Sequence, residues 1–315
     1  MSAATHLTPV PTRPSAAIRP ANSTRVGIGH ALVDNCSFEQ AEDAIIAHAL
    51  AHAEPALVFT PNAQHIVLLS QNARLRDIYR NADLVLPDGV SLLLAARIFG
   101  REFPERIAGV DLFQSLCARA AAAGLKLFFL GGRPGSADAV ADVFRSRHPG
   151  IQIPTYCPPL GFEIDPTELD GVASAIRAAQ PHIVFVGLGA PKQELWIADH
   201  GRKLGPNVYV GVGGSFEMVA GIVKRAPRWI QALGCEWLHR LLVEPRRLWR
   251  RYLVGNPQFI AIVLKQRVRR AVLKALLHVL KTPSFEAELH DSALLAEAAS
   301  ILLRTSAIPP PAQQS

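Results

Sequence analysis

Asp88 is the residue whose type and position most strongly suggest acid–base chemistry. It lies in VLPDGVS, directly after a short apolar run that is typical of a strand. A carboxylate at the end of a strand can take a proton from an attacking hydroxyl group, although an Asp-Gly pair can also simply form a turn. Thr60 and Asn62 follow another apolar run, in FTPNAQ. They could position substrate hydroxyls or cap a helix that begins near Ala63.

Glycine-rich turns follow three more apolar runs, as GGRPGS, GLGAPKQE and GVGGSFE. Glycine lets a backbone approach a ligand closely, and a helix that starts after such a turn presents free N–H groups to phosphate. In GLGAPKQE, Gly187 and Gly189 would leave room for a nucleotide, and Pro191 suits a first helical turn. These turns predict a nucleotide or nucleotide-sugar pocket. Its further candidate residues are Gly131, Gly132, Arg133, Lys192, Gln193 and Glu217, with Lys192 and Gln193 at the rim.

Several classes of site are disfavoured by motifs that the sequence lacks. It contains neither G-x-G-x-x-G nor G-x-x-x-x-G-K-[ST], which disfavours a dehydrogenase and a P-loop enzyme. Its four cysteines form no C-x-x-C pair, which disfavours a zinc site or a disulfide framework. Metal-dependent sugar transferases commonly use an Asp-x-Asp pair to hold a divalent ion against a diphosphate, but no such pair follows a strand here. If a diphosphate leaves, its charge would have to be met by arginine, lysine or helix N-termini. We therefore expect no metal and no cofactor.

Positive charge is concentrated near the C-terminus. Residues 236–281 contain eleven Lys and Arg and only two acids, so this segment has a net charge of +9. The rest of the chain has a net charge of −2, which gives the total of +7. A nucleic-acid-binding surface would be expected to spread its charge and to offer aromatic stacking platforms, but aromatic residues make up only 7% of the chain. Nucleic acid is therefore not an expected partner.

The elements that must position these residues alternate along the chain. Predicted strands lie at 56–60, 82–87, 125–132, 182–187 and 207–212. Predicted helices lie at 39–53, 63–80, 112–123, 136–147, 168–179 and 191–204. Short apolar strands separated by helices predict an α/β, Rossmann-like fold with a largely parallel sheet covered by helices. In such sheets ligands bind beyond the carboxyl ends of the strands, where all the turns described above lie.

The ordered motifs resemble the WecG/TagA/CpsF family of bacterial glycosyltransferases (glycosyltransferase family 26). The matching pieces run from about residue 26 to 255 and are TPNAQ, LPDGVS, ERIAGVDL, FFLGGRPGSA, VGLGAPKQE, GVGGSFEMVAG, KRAPRW and EWLHRLLVEPRRLWR. The resemblance implies an inverting, metal-independent hexosyltransferase that moves a sugar from a UDP-sugar to a polyprenyl-diphosphate-linked saccharide. It also implies a role in cell-surface or exopolysaccharide synthesis at the cytoplasmic face of the membrane. N-acetylmannosamine, its uronic acid and glucose are the candidate sugars.

The resemblance also implies roles for individual residues. Asp88 would be the catalytic base, and Arg106, in the ERIAGVDL motif, would be a second catalytic residue, although it could be an ordinary surface arginine. Thr60, Asn62 and Gln193 would contact the substrate.

Three arginines of the C-terminal segment, Arg240, Arg247 and Arg250, would close over the diphosphate on the same resemblance. Glu217 departs from the family pattern, which often has Asp at this position in the G-x-F-D turn. The longer side chain leaves open which sugar hydroxyl it would meet.

The composition of the segments predicts four regions. We expect a disordered leader at 1–24, the α/β glycosyltransferase domain at 25–232, a basic helical appendage at 233–281 that closes the site and associates with the membrane, and a helix with a disordered tail at 282–315. No run of about eighteen apolar residues exists, so we expect no membrane span. The expected location is cytoplasmic and peripheral, on the inner face of the plasma membrane.

The end of the appendage is the predicted contact with an anionic membrane surface. Arg267, Arg270, Lys274, His278 and Lys281 recur at three- and four-residue spacing, and Ile260, Leu264, Val268, Val272, Leu276 and Val279 lie largely on another face. This pattern fits a helix packed on the domain with a solvated basic side, or a basic amphipathic helix in an anionic leaflet. Drawing a polyprenyl chain out of a bilayer costs roughly 0.8 kcal/mol per CH₂. The enzyme must therefore go to its lipid acceptor, which favours a helix that lies in the leaflet.

Other functions remain alternatives at the level of sequence. A non-catalytic nucleotide-sugar-binding regulator would share the pocket but would tolerate the loss of Asp88. An enzyme of another class that uses a nucleotide cofactor, or a nucleic-acid-binding protein, would be revealed by direct binding tests. Oligomer formation is possible, and the sequence does not decide it.

Overall fold

The computed structural model describes residues 18–21, 23–51, 54–205, 207–232 and 234–280. These residues divide into two compact units, of which the first ends at Phe259 and the second begins at Ile260. The expected boundary between domain and appendage, at 232/233, differs from this division, because most of the appendage belongs to the same unit as the sheet. The first 17 residues of the predicted leader and the predicted tail at 282–315 lie outside the described residues.

The first unit is built on a parallel sheet, which confirms the predicted α/β fold. β1 (Thr24–Ile28) and β2 (Ala31–Asn35) form an antiparallel hairpin. The parallel sheet contains β3 (Ala56–Phe59), β4 (Leu84–Val85), β5 (Leu127–Gly131), β6 (Thr155–Tyr156), β7 (Ile183–Gly187) and β8 (Val208–Gly211), in the order β4-β3-β8-β7-β5-β6. The carboxyl ends of these strands therefore share one edge of the sheet, as the sequence predicted.

Helices cover the sheet and continue into the appendage. They are α1 (Phe38–Leu50), α2 (Ala63–Gln71), α3 (Ala73–Arg80), α4 (Val90–Ile98), α5 (Gly109–Ala122), α6 (Ser136–Arg147), α7 (Pro166–Ala179), α8 (Lys192–His200), α9 (Ser215–Val219), α10 (Arg228–Ala232), α11 (Glu236–Val243), α12 (Pro245–Trp249) and α13 (Gly255–Leu280). Short 3₁₀ turns lie at Phe162–Ile164 and Gly201–Lys203, and a π-helical turn at Arg250–Val254 joins α12 to α13. None of the described helices combines the length and apolar character needed to cross a membrane.

The helix predicted over 63–80 is interrupted at Asn72. The Asn72 side chain accepts a hydrogen bond from the Leu75 N–H and so caps α3, while its own N–H bonds to the Leu68 carbonyl at the end of α2. Short polar side chains compete in this way with continued helix. Periodicity alone could not reveal the break, because both helices bury apolar residues.

The end of the predicted leader is packed rather than disordered. Ile18 is fully buried within the main apolar cluster, and Arg19 Nε donates to the Asp83 carbonyl at 3.1 Å. A single apolar residue among prolines and alanines gives no periodic signal, so its burial was not predictable from pattern. The ordered chain therefore begins before residue 25.

The hairpin is fixed to the sheet by a buried carboxylate. Asp34 Oδ1 accepts from Arg25 Nε at 2.8 Å, and its Oδ2 accepts from the Val85 N–H of β4 at 2.8 Å. Because Asp34 is fully buried, both contacts are needed to offset its desolvation. The hairpin is thus attached to β4, the strand at one edge of the sheet.

Five phenylalanines form the core beneath the candidate site. Phe113, Phe129, Phe144, Phe185 and Phe216 pack with ring centroids 4.8–6.4 Å apart, mostly edge to face. Such pairs add to the free energy gained by burial alone. Phe216 lies at the start of α9, so this cluster anchors the turn after β8 to the sheet.

Candidate active site

The turn that carries Asp88 is held between two neighbouring segments. The Asp88 N–H bonds to the Pro61 carbonyl at 2.9 Å, and the Ile107 N–H bonds to the Pro87 carbonyl at 2.9 Å. These bonds bring the turns after β3 and β4 together with the segment that precedes α5. The structure therefore places Asp88 beside Thr60.

The Asp88 carboxylate lies against the N-terminus of α5. It accepts a hydrogen bond from the Gly109 N–H. A Cβ added to Gly109 would lie 2.8 Å from Thr60 Oγ1 and 3.9 Å from Asp88 Oδ2. A side chain on the first residue of α5 would therefore displace the Thr60 hydroxyl, whereas Asp88 would be at an ordinary contact distance. Thr60 Oγ1 itself donates to the Gly211 carbonyl at 3.4 Å.

Burial raises the pKa of Asp88 to about 6. The positive charge of Arg106 and the Gly109 N–H act against this rise in pKa, whereas Glu236 adds to it. A carboxylate with such a pKa is mostly ionised at neutral pH and yet is a stronger base than an exposed aspartate. Those properties suit a general base.

Arg106 belongs to a network of four charged side chains next to Asp88. Arg106 Nη1 donates to Glu236 Oε2 at 3.2 Å. Arg225 donates to both oxygens of Asp111, at 2.5 and 2.7 Å, and its Nε lies 3.7 Å from Glu236 Oε1. The network joins α5, the KRAPRW segment and the first residue of α11. Sequence analysis did not single out Arg225 and Glu236, although both lie in motifs that carry the family resemblance.

The appendage brings two of its three predicted arginines to the edge of the sheet. Arg240 Nη2 lies 3.9 Å from the position of a Cβ added to Gly214, in the turn after β8. Arg247 pairs with Glu244, which also accepts from Arg133 Nη2 at 2.8 Å. Arg247 and Arg250 are both exposed, but the guanidinium carbon of Arg250 lies 5.5 Å from the ring centroid of Trp249 rather than beside a carboxylate.

Glu217 presents one unused oxygen at this edge. Its Oε1 accepts from the Arg133 N–H at 2.8 Å, whereas its Oε2 is buried and has no hydrogen-bond partner among the described residues. The Ser136 hydroxyl, at the start of α6, is also buried without a partner there. Gly132 has a φ of +84°, and an added Cβ would lie 2.3 Å from Ser136 Oγ. Gly131 has a φ of +88°, and a Cβ added to it would lie 2.6 Å from Leu188 Cδ2.

Gln193 lies inside the protein rather than at the rim. Its Oε1 accepts from the Gly213 N–H at 2.8 Å, and its Nε2 donates to Glu194 Oε1 at 3.0 Å. Glu194 Oε1 lies 3.4 Å from His65 Nε2, and His65 Nδ1 accepts from the Asn62 N–H at 3.2 Å. A buried polar chain therefore connects the turns after β3, β7 and β8.

Asn62 and Lys192 have structural partners. Asn62 caps α2, because its side-chain oxygen accepts from the Gln64 N–H at 3.1 Å, so the capping alternative holds for this residue. Lys192 is at the surface, where its Nζ pairs with Glu163 Oε1 at 2.7 Å. Substrate contacts by either residue stay a prediction.

The two glycines of the GLGAPKQE turn have different reasons to be glycine. A Cβ added to Gly187 would lie 2.8 Å from the Phe216 ring, so this position is required by core packing. Gly189 has a φ of +76° and nothing within 4 Å of an added Cβ. Only Gly189 is next to open space. The Ala190–Pro191 peptide bond that follows is cis.

The acidic side chains at this edge are dispersed rather than grouped around a single point. Within the part of the chain that the structure describes, no three His, Cys, Asp or Glu side chains are grouped closely enough to hold a metal ion. The cationic groups that surround Asp88 are arginines. Metal independence of the reaction stays a prediction.

Replacement of Asp88 by asparagine is expected to stabilise the fold at neutral pH. The pKa of Asp88 is about 6 in the folded protein against a reference value of 3.8, so the ionised carboxylate destabilises the folded state above pH 6. We expect Asp88→Asn to raise the free energy of unfolding by at most about 3 kcal/mol at pH 7.5, measured by urea denaturation.

The difference in the free energy of unfolding between Asp88→Asn and the wild type should shrink as the pH falls from 6 to 4, since the wild-type carboxylate is then progressively protonated in the folded state. Asp111→Asn is the matched control and should lower stability at pH 7.5, because it removes the carboxylate bonded to Arg225. An Asp88→Asn protein less stable than the wild type at pH 7.5 would contradict the inferred burial of charge.

Comparison with known proteins agrees with this geometry. The model of the glycosyl transferase WecG/TagA/CpsF family matches residues 26–272. The chain is 36% identical over 210 residues to the N-acetylglucosaminyldiphosphoundecaprenol N-acetyl-beta-D-mannosaminyltransferase of Bacillus spizizenii, covering 67% of this chain and 79% of that enzyme. It is 35% identical over 190 residues to the protein of the same name from Bacillus subtilis (strain 168), covering 60% and 72%.

The family match includes all the turns at the carboxyl edge of the sheet and the appendage helices through the π-helical turn. It confirms the resemblance on which the residue roles were predicted. The chain belongs to the WecG/TagA/CpsF family of glycosyltransferases.

Proposed function

We propose that the protein is an inverting glycosyltransferase that moves a sugar from a UDP-sugar to a polyprenyl-diphosphate-linked saccharide without a metal ion. The observation that carries this proposal is the placement of a largely desolvated carboxylate, Asp88, at the sheet edge that the appendage arginines also reach. The names of the Bacillus relatives support transfer to a lipid-linked acceptor in cell-envelope glycan synthesis.

The proposed reaction is a single displacement. Asp88 takes the proton of an acceptor hydroxyl, and the hydroxyl oxygen attacks the anomeric carbon from the face opposite UDP. The bond between the anomeric carbon and the β-phosphate oxygen breaks, so UDP leaves with its electron pair and the configuration inverts. Arg240 and Arg247 stabilise the negative charge on the departing diphosphate. Asp88 then releases its proton to solvent.

The names of the relatives also suggest the first substrates to test. They describe transfer of N-acetylmannosamine to N-acetylglucosaminyl-diphosphoundecaprenol. UDP-N-acetylmannosamine is therefore the first donor to test, followed by its uronic acid and by UDP-glucose. Glu217 on α9 and Ser136 on α6 each have an oxygen without a hydrogen-bond partner among the described residues, and they are the candidates to meet donor hydroxyls.

The direct test is UDP release from a panel of these three donors in the presence of a short-chain lipid-diphosphate N-acetylglucosamine. We expect release with at least one donor, at the same rate with and without EDTA. Activity that EDTA abolishes and Mg²⁺ restores would contradict metal independence. No release with any donor would contradict the function itself.

Asp88→Asn should lower turnover by at least ~100-fold, because it removes the general base, while UDP binding measured by calorimetry should be preserved. In the wild type, kcat/KM should fall as the pH falls through about 6, where Asp88 becomes protonated.

Asp142→Asn, which changes an exposed carboxylate on α6, is the matched control and should leave both quantities unchanged. Near-normal turnover of Asp88→Asn would remove Asp88 from the role. A non-catalytic regulator would bind UDP-sugars and release no UDP with either protein.

We further propose that the second unit associates with an anionic membrane surface on the cytoplasmic side. Its described part, residues 260–280, contains five Lys and Arg and no Asp or Glu. Apolar side chains on this helix are exposed to between 46% and 63%, namely Ile260, Leu264, Val268, Val272 and Leu276. Exposed apolar groups beside cations support the leaflet interpretation of this helix. The predicted contributions of His278, Val279 and Lys281 lie outside the described side chains.

Sedimentation with vesicles tests the membrane proposal. Because each cation near an anionic surface contributes about 1 kcal/mol, Arg269→Gln/Lys274→Gln should bind phosphatidylglycerol vesicles roughly 30-fold more weakly than the wild type. Arg101→Gln/Lys203→Gln, an exposed pair in the first unit, is the control and should bind as the wild type does. Equal binding of both double variants to phosphatidylglycerol vesicles would count against the proposal. So would equal binding of the wild type to phosphatidylglycerol and to neutral phosphatidylcholine vesicles.

A further inference from the structure

A single peptide group connects the Asp88 turn to the buried side chain of His65. The carbonyl of Pro61 accepts from the Asp88 N–H at 2.9 Å. The N–H of the same peptide group, which belongs to Asn62, donates to His65 Nδ1 at 3.2 Å. Because a peptide group is planar and rigid, a side chain that fixes its N–H also fixes the direction of its carbonyl. His65 therefore helps to set the position of the Asp88 backbone.

The opposite edge of the His65 ring faces a buried carboxylate. His65 Nε2 lies 3.4 Å from Glu194 Oε1, and the two residues are 7% and 1% exposed. A ring hydrogen on Nδ1 alone would point to Asn62 Oδ1, 3.0 Å away, but it would leave the Nε2 lone pair facing the carboxylate. Glu194 therefore keeps a hydrogen on Nε2 and leaves Nδ1 as the acceptor for the Asn62 N–H.

Glu194 is itself held by its neighbour in the sequence. Gln193 Nε2 donates to Glu194 Oε1 at 3.0 Å, and Gln193 Oε1 accepts from the Gly213 N–H at 2.8 Å. A Cβ added to Gly211 would lie 2.9 Å from Gln193 Nε2, so the amide packs directly on the backbone of β8. The turn after β8 thus fixes the orientation of the carboxylate that faces His65.

The burial of Glu194 is costly, which argues for a use beyond packing. Its charge acts on its surroundings, because burial raises the pKa of the Tyr79 hydroxyl and Glu194 raises it further. Apolar side chains of similar size would fill the same space without the cost of burying a charge. Buried polar networks make their surroundings rigid when their members are engaged. This pair therefore fixes a geometry rather than adding to stability.

We propose that His65 and Glu194 are positioning residues for sugar transfer, because they orient the peptide group that holds the backbone of Asp88. The inference rests on the proposed function, in which Asp88 is the base. A base must lie within hydrogen-bond reach of the proton that it takes, and a displacement of about 1 Å can lower the rate by about 100-fold. Since His65 bonds to the backbone of a turn rather than to a reacting atom, its loss should lower kcat and leave UDP binding unchanged.

The test compares His65→Leu with His65→Gln in the full chain. His65→Leu loses both polar contacts and should lower kcat, measured by UDP release, by at least ~10-fold. Its Kd for UDP, measured by calorimetry, should stay within about twofold of the wild type. Glutamine is a usual residue at this position of a capping box, where its side-chain oxygen accepts from the N-cap N–H. His65→Gln should therefore return kcat to within about threefold of the wild type.

His48→Leu is the matched control. His48 is also a buried histidine on a covering helix, and its Nε2 donates to the Glu54 carbonyl at 2.8 Å. We expect this variant to lose stability in urea denaturation, as His65→Leu does, while its kcat stays within about twofold of the wild type. An equal loss of kcat in both leucine variants would assign the effect to general destabilisation and overturn the proposal.

Glu194→Gln tests whether the two residues act as a pair. It keeps the shape of the side chain but removes the charge that faces His65 Nε2, so it should lower kcat by about 3- to 10-fold. Because Glu194 acts through His65, the double variant should have the kcat of His65→Leu within about twofold. Additive losses would contradict the pair. Glu194→Gln also replaces His65→Leu if thermal melting shows that the leucine variant is unfolded.

Hydrogen exchange measured by mass spectrometry tests the position of the turn without any measurement of activity. The Asp88 N–H, in a peptide over residues 84–92, should exchange faster in His65→Leu than in the wild type or in His65→Gln. Unchanged exchange, or a kcat of His65→Leu within twofold of the wild type, would overturn the proposal. A wild type that transfers no sugar but shows the expected exchange would refute the proposed function and leave the role of His65 in holding the turn.

Discussion

The candidate active site depends on the ion pair between Arg106 and Glu236. Arg106 precedes α5, whose N-terminus bonds to Asp88, and Glu236 is the first residue of α11, which carries Arg240. An isolated surface pair would contribute little to stability. These side chains are only about one-fifth exposed, and Arg225 and Asp111 extend the pair into a network. Loss of one member would leave a partly buried charge without its partner, so the network holds the start of α11 next to the start of α5.

The same network sets the environment of Asp88. Burial raises the pKa of Asp88, the charge of Arg106 limits the rise, and Glu236 of the appendage adds to it. A site open to water would leave Asp88 an ordinary, weaker base, and loss of Arg106 would raise the pKa further. The environment of Asp88 is therefore set by residues from separated parts of the chain, which no local motif such as PDG contains.

The sequence could predict the sheet and the clustering of its turns, because alternating strands and helices force parallel strands and so a common carboxyl edge. It could not predict how each residue is used there. Gly187 looks like a glycine that makes room for a nucleotide, but Phe216, which is distant in sequence, requires it. Gln193 looks like a rim residue, but Gly213 and Glu194 engage both ends of its amide. These assignments depend on contacts between strands that no local pattern contains.

The pair Arg250 and Arg251 shows the same limit most sharply. Both belong to the run RLWRRY, and a regular α-helix would place either of them near the face that carries Arg247. In the π-helical turn Arg250 is exposed and Arg251 is half-buried, and Tyr252 of the same turn packs on Trp237 of α11. A motif match therefore identifies this segment, whereas the packing of the π-helical turn determines how far each of its two adjacent arginines is exposed.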